Sequence, residues 1–253
     1  MEENKKSRIA NRVAGGIGAA SFLMLIWTIV LMVANWTIIA EFIKSEFGYV
    51  LIIFTINAVF SVVLGLLIIS RNPGHRLGWL FLAIGFLFSW WELSGALLEI
   101  TSLEGIPPFL RPIVVIGGLA YLLPLIMTMT LVPLYFPTGR LLSRRWRPVL
   151  VITLVGIIGQ ALAQGLLDLF DEIPELEQTG LEPVLMRVNE LMGFILIIAI
   201  IGSILSLIIR FVRSRGDERT QMKWLVYTAV MSISLMLLMS IVFGEDSLFL
   251  GIY

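Results

Sequence analysis

The chain has 253 residues, with 18 basic and 18 acidic side chains, one histidine and no cysteine. Hydrophobic residues make up 58% and charged ones 14%, against about a quarter charged in a water-soluble domain. Charge neutrality removes the electrostatic case for nucleic-acid binding. The absent cysteines exclude disulfides, thiolate metal sites and cysteine nucleophiles, and the lone histidine excludes two-histidine zinc motifs. What remains is an integral membrane protein.

A bilayer core about 30 Å thick needs roughly 20 mostly apolar residues per crossing helix. Seven stretches meet this in chain order: 13–40, 49–70, 78–99, 112–136, 148–167, 191–209 and 224–243. The apolar runs are continuous, whereas barrel strands alternate over about ten residues, so the fold class is all-α. Residues 1–12 form a basic arm ahead of a seven-helix membrane domain spanning 13–243. The first apolar run exceeds the roughly 7–15 residues of a signal peptide, which favours a retained helix. Within it Ala14/Gly18, Gly15/Ala19 and Gly16/Ala20 form small-xxx-small pairs, a candidate packing or homodimer face. Residues 244–253 form an outer turn followed by an apolar tail ending at Tyr253. Two readings fit that tail: the start of an eighth helix cut short, or an interfacial segment anchored by aromatics.

Orientation follows from the cations. Lys5, Lys6, Arg8 and Arg12 precede the first span, and Arg71 and Arg76 follow the second. Arg140, Arg144, Arg145 and Arg147 follow the fourth, and Arg210, Arg213, Arg215, Arg219 and Lys223 follow the sixth. Only Lys44, Arg111 and Arg187 fall on the other side. Lysine and arginine stay cytoplasmic during insertion, so the N-terminus is expected inside. The opposite side holds the longest connection, an acidic segment with Asp168, Asp171, Glu172, Glu175, Glu177, Glu182 and Glu190. It is either a solvated cap or a contact surface for a ligand. Helical spacing of Leu181, Val184, Leu185, Val188 and Leu191, with Pro183 at its start, extends the sixth helix beyond the lipid.

Little catalytic chemistry can be assembled, and an enzyme is not expected of this chain. No phosphate loop occurs, and Gly15, Gly16 and Gly18 open a membrane helix without a preceding strand. No lysine sits inside a span to carry retinal, and an inside N-terminus argues against a G-protein-coupled receptor. His75 occupies a turn, either as an interfacial residue or as a base without a nearby acidic partner in sequence. No cofactor and no metal site is expected.

One ionisable group is deep. Glu92 shares a helix face with Gly85, Ser89 and Ala96, a small and polar stripe expected to face other helices. At about 1.5 Å per residue, Glu92 lies roughly 21 Å from the inner end of its helix, and Gln160 and Gln164 roughly 18 and 24 Å along theirs. Asn57 and Tyr121 enter roughly 12–14 Å from the outer ends. These five form the candidate site, a polar cluster open outward, with Trp90 and Trp91 near its mouth. The competing reading makes Glu92 helix glue and the tryptophans belt aromatics. Arg140, Arg144, Arg145, Arg147 and Trp146, with Arg213, Arg215, Arg219, Lys223 and Trp224, are expected to anchor the cytoplasmic interface on anionic lipids. Gly216 can end one helix and Asp217 cap the next.

Three segments carry a family resemblance. Asn72-Pro73 followed by Leu77-Gly78-Trp79-Leu80-Phe81 resembles the N-P-x-G-W-L-F/L segment of the membrane region of certain bacterial sensor histidine kinases. Phe136-Pro137-Thr138-Gly139-Arg140-Leu141, with Ser143-Arg144-Arg145-Trp146-Arg147-Pro148, is similar to their F-P-T-G-R-L-P-S-R-R-W-R-P loop. Arg213-Ser214-Arg215-Gly216-Asp217-Glu218-Arg219, continuing through Thr220-Gln221-Met222-Lys223-Trp224, is similar to their R-x-R-G-x-E-R-Q-Q-L-K-W loop. The chain departs from the pattern by an inserted Gly74-His75-Arg76 and by Leu142 where the family has proline. The resemblance implies a multi-pass input region in the bacterial inner membrane, relaying an envelope, ligand or lipid signal to a cytoplasmic kinase in cis or in trans. The rival classes are a small transporter or channel component built around Glu92, and a membrane scaffold without ligand.

Overall fold

A computed structural model describes residues 2–37, 48–119, 122–172 and 180–223. It is helical throughout, with no strand among the described residues. The helices are α1 (Glu2–Ala34), α2 (Gly48–Arg71), α3 (Arg76–Gly105), α4 (Arg111–Leu119), α5 (Leu122–Tyr135), α6 (Arg147–Glu172) and α7 (Glu182–Arg213), with a 3₁₀ turn over Arg144–Trp146. A further helix opens at Asp217 and is described as far as Lys223.

Five helices are long and apolar enough to cross a bilayer, and a sixth span results if α4 and α5 count as one. The expected fourth crossing, 112–136, is bent by 49° between these two helices. Pro124 lies just beyond the break, in the first turn of α5, where its missing N–H is tolerated. The expected seventh span, 224–243, and the tail 244–253 lie outside the described residues.

The basic residues of 2–12 occupy the opening turns of α1 and not a separate arm. With 33 residues, α1 is about 50 Å long and overshoots the hydrocarbon thickness. Similarly, α7 begins at Glu182 with Pro183 in its first turn, where the missing proline N–H is harmless.

Packing is organised around α3 and α5. The former lies against α1, α2, α4 and α5; the latter also contacts α6 and α7. Leu25, Ala58, Ile84, Phe88 and Val132 join α1, α2, α3 and α5 in one buried cluster. Ile126, Leu131, Ile157 and Leu196 join α5 to the α6–α7 hairpin in another. Helix α5 therefore stands between two helical groups.

The closest approach is between α2 and α3. A Cβ at Gly65 would meet the Leu82 amide nitrogen at 2.6 Å, and one at Gly85 would meet the Val62 nitrogen at 2.7 Å. Only hydrogen side chains allow these backbones so near, the association device of helices in lipid. Gly85, Ser89, Glu92 and Ala96 are all buried, so the small and polar stripe faces helices as expected. On α1 only the Ala14/Gly18 row is covered; a Cβ on Gly18 would touch Leu66, whereas Gly15 and Gly16 have nothing within 4 Å. Five buried hydroxyls are satisfied locally: Ser21, Ser89, Thr130, Thr153 and Ser203 donate to carbonyls four residues back, while the buried Ser206 hydroxyl has no partner among the described residues.

Ala14, twelve residues into α1, clusters with Ile69 and Leu82, which places that level of α1 beside the end of α2. The segments around 72–75, 136–147 and 210–223 share that same end of the bundle through the contacts described next.

Candidate functional site

The end of α5 shows how the motif segments fit together. A helix terminus leaves its last carbonyls without intrahelical donors, and Pro137 brings no N–H to satisfy them. The missing donors come from α7. Arg210, only 5% exposed, donates from Nη1 to the Phe136 carbonyl at 2.5 Å and to the Thr138 hydroxyl at 3.3 Å. Its Nη2 donates to the Arg140 carbonyl at 2.7 Å and the Leu134 carbonyl at 3.5 Å. A buried cation is thus held by the negative end of α5 and the turn after it.

The turn itself is shaped for this. Gly139 has a φ of +70° and donates its N–H to the Tyr135 carbonyl at 2.7 Å, a left-handed closure suited to glycine. The Phe136–Pro137 peptide is cis. His75 lies against the turn: a Cβ on Gly139 would sit 3.0 Å from His75 Cε1. His75 is placed by the Asn72-Pro73-Gly74 turn, whose Pro73 carbonyl accepts from Trp79 Nε1 at 2.9 Å and whose Asn72 carbonyl accepts from the His75 amide at 3.0 Å. Arg76 lies over the Tyr135 ring at 5.9 Å.

The third motif segment completes the assembly. Arg210 belongs to the last turn of α7, Ser214 donates its amide to the Arg210 carbonyl, and Gly216 reverses the chain at a φ of +59°. A helix then starts at Asp217, and Gln221 from it shares a cavity with His75, Phe136 and Pro137. Three segments separated by more than fifty residues each thus form one connected site. Arg144 and Arg145 lie in the 3₁₀ turn with Trp146, Arg147 opens α6, and Arg213, Arg215, Arg219 and Lys223 stay exposed. Trp224 lies outside the described residues.

The five-residue intramembrane cluster is not formed as expected. Glu92, 2% exposed on α3, accepts from the Thr55 hydroxyl of α2 at 3.1 Å through Oε2. Its Oε1 is buried without a hydrogen-bond partner among the described residues. Phe54 packs edge-on to Trp91 and stacks on Phe88 beside it. The glutamines belong to a different interface. Gln160 Nε2 donates to Asn189 Oδ1 at 2.6 Å, and Asn189 Nδ2 donates to Gln164 Oε1 at 3.3 Å, all within the α6–α7 hairpin. Asn57 is exposed and bonds back to the Ile53 carbonyl. Tyr121 lies outside the described residues. Trp90 donates to the Ile113 carbonyl of α4 at 3.1 Å and so braces two helices.

A common depth does not put residues on a common face. Thr55 and Asn57 are two positions apart, about 200° around a helix, so α2 presents one to α3 and turns the other outward. Thr55, Asn189 and Arg210 were not singled out from sequence. A charge inside the run Ile208-Ile209-Arg210-Phe211-Val212 was the available signal for the last of them. No protein family, curated protein or solved structure matches this chain.

Proposed function

We propose that this chain is a membrane-embedded input module of the sensor-kinase kind, multi-pass in the bacterial inner membrane, relaying a signal to a cytoplasmic kinase. The observation that carries this reading is the convergence of the three resembling segments at one end of the bundle, through His75, Gly139 and Gln221, with Arg210 just ahead of the third segment bonded to the second. That end also carries the cation-rich segments, so the positive-inside rule makes it cytoplasmic and the N-terminus with it. A relay needs displacement of one helix to be felt by another before it leaves the membrane. Arg210 ties the end of α7 to the end of α5, and α5 packs on both helical groups, so a shift of either group reaches the helix that opens at Asp217. Homodimerisation would use the open Gly15/Gly16 face of α1.

The test reads the gene beyond Tyr253 and measures ATP-dependent histidine phosphorylation in membrane vesicles. A frame continuing into a phosphoacceptor helix, or a neighbouring kinase whose phosphorylation changes when this chain is present, supports the reading. A stop codon beside an ATPase gene, with kinase activity indifferent to this chain, overturns it.

A second reading, a small transporter or channel component, is favoured by the unpartnered Oε1 of Glu92. It now rests on Glu92 and Thr55 alone, since the glutamines face another helix. Solute or proton uptake by vesicles, lost in Glu92→Gln, would select it.

A further inference from the structure

We propose that the cavity at the motif end of the bundle is a binding site for one anionic phospholipid, with a glycerol ester and the top of an acyl chain inside and the phosphate at its rim. This does not rest on the sensor reading. The cavity has a volume of about 410 Å³, within the range of small-molecule sites. Its walls are mostly Ile68, Leu77, Phe81, Phe136 and Pro137, a surface suited to hydrocarbon. Two polar groups interrupt these walls, His75 and Gln221. His75 Nδ1 is buried without a hydrogen-bond partner among the described residues. An unpaired buried nitrogen is costly unless something fills the role of partner. The His75 ring, which lines the cavity, can donate to an ester oxygen or accept from a head-group hydroxyl, according to its tautomer. The Gln221 amide can donate to the second ester carbonyl.

Charge selects the head group. Within three positions of a lining residue in sequence stand Arg71, Arg76, Arg140, Arg219 and Lys223, all exposed. The carboxylates on the same segments are Asp217 and Glu218. The excess is cationic, and it lies where apolar α2 and α3 meet their connecting turn, the level at which phosphates of a bilayer lie. Basic pockets between helices at that level suit anionic head groups. Arg76, already laid over Tyr135, is placed to turn its guanidinium outward to a phosphate.

The experiment counts lipids retained by the purified chain in native mass spectrometry after exchange into detergent with equimolar phosphatidylglycerol and phosphatidylcholine. The expected result is one phosphatidylglycerol retained in preference, with about a five-fold or greater loss in His75→Phe/Gln221→Leu. Ile68→Trp, which fills the cavity, should abolish retention. The double variant removes only polar groups, so it serves as the decisive arm if Ile68→Trp does not fold. Added glycerol phosphate should not displace the lipid. Equal retention of the two lipids, equal retention by wild type and double variant, or displacement by glycerol phosphate would each overturn the proposal.

Discussion

The Arg210 guanidinium donates to the Phe136 carbonyl across 74 positions of sequence, fastening the end of α7 to the end of α5. The carbonyl terminates a helix followed by a proline, and the cation is buried with its hydrogen bonds going to α5 and the turn after it. Truncation to Arg210→Ala leaves the Phe136 and Arg140 carbonyls without this donor, and a loss of about 2–4 kcal/mol is expected. Arg210→Lys should recover only part of it, because a compact ammonium lacks the planar spread of donors that lets Nη1 and Nη2 reach four acceptors. Unfolding in mixed micelles of detergent and dodecyl sulfate measures both; an unchanged Arg210→Ala midpoint would contradict the lock.

Gly139 tests the neighbouring contact. Gly139→Ala places a side chain at a φ of +70° and 3.0 Å from His75 Cε1. The left-handed backbone alone should destabilise by about 1–2 kcal/mol. In a His75→Ala background the steric part disappears and the backbone part stays. A double-mutant cycle therefore separates the two, and strict additivity would show that histidine and glycine do not touch.

For Glu92, the prediction concerns its one partner. Thr55→Val keeps the shape of the side chain and removes the donor, and it should destabilise the α2–α3 pair by about 1 kcal/mol, a typical interhelical hydrogen bond in a membrane. With Glu92→Leu already in place the same change should cost less. The same micelle unfolding reads both; an equal loss in the two backgrounds would show that the pair is not interacting.

The α6–α7 hairpin gives a contrast between two amides. Asn189→Leu breaks both bonds of the relay and should lower stability by about 1 kcal/mol. Gln160→Leu breaks one bond but also removes a buried oxygen that has no partner, so its effect should be smaller. The reverse order of midpoints would mean that the relay is drawn wrongly.

Orientation is open to direct labelling because the chain has no cysteine. Ser143→Cys, on the cation-rich end, should react with an impermeant maleimide only after intact cells are opened. Leu181→Cys, at the start of α7, should react from outside. Labelling of both from the same side would dissolve the topology and the functional reading built on it.

Much of the architecture was legible before any coordinates. The unbroken apolar runs imply helices in lipid, and the Gly85-Ser89-Glu92-Ala96 register implies a buried face on α3. Pro183 and Gly216 mark a helix start and a chain reversal. The 49° bend between α4 and α5 was less legible, since hydropathy is continuous through 112–136 and registers no change of direction. The site was read worst. Depth assigned Glu92, Gln160, Gln164 and Asn57 to one cluster, and the helices divided them between the α2–α3 interface, the α6–α7 hairpin and an outward face.

The reason lies in the solvent. In water, apolar periodicity marks the side of a helix that meets the core. In a bilayer the surroundings are as apolar as the core, so composition reports that a helix is embedded and how deep each residue lies, and leaves its facing undetermined. The amino-acid order alone therefore settled the lipid environment, the helical class and the crowding of cations at one set of turns. Only the tertiary packing could choose Thr55 over Asn57 as the partner of Glu92, and bring Arg210 to the carbonyls after α5, because both choices turn on rotation about a helix axis and on which helices are neighbours.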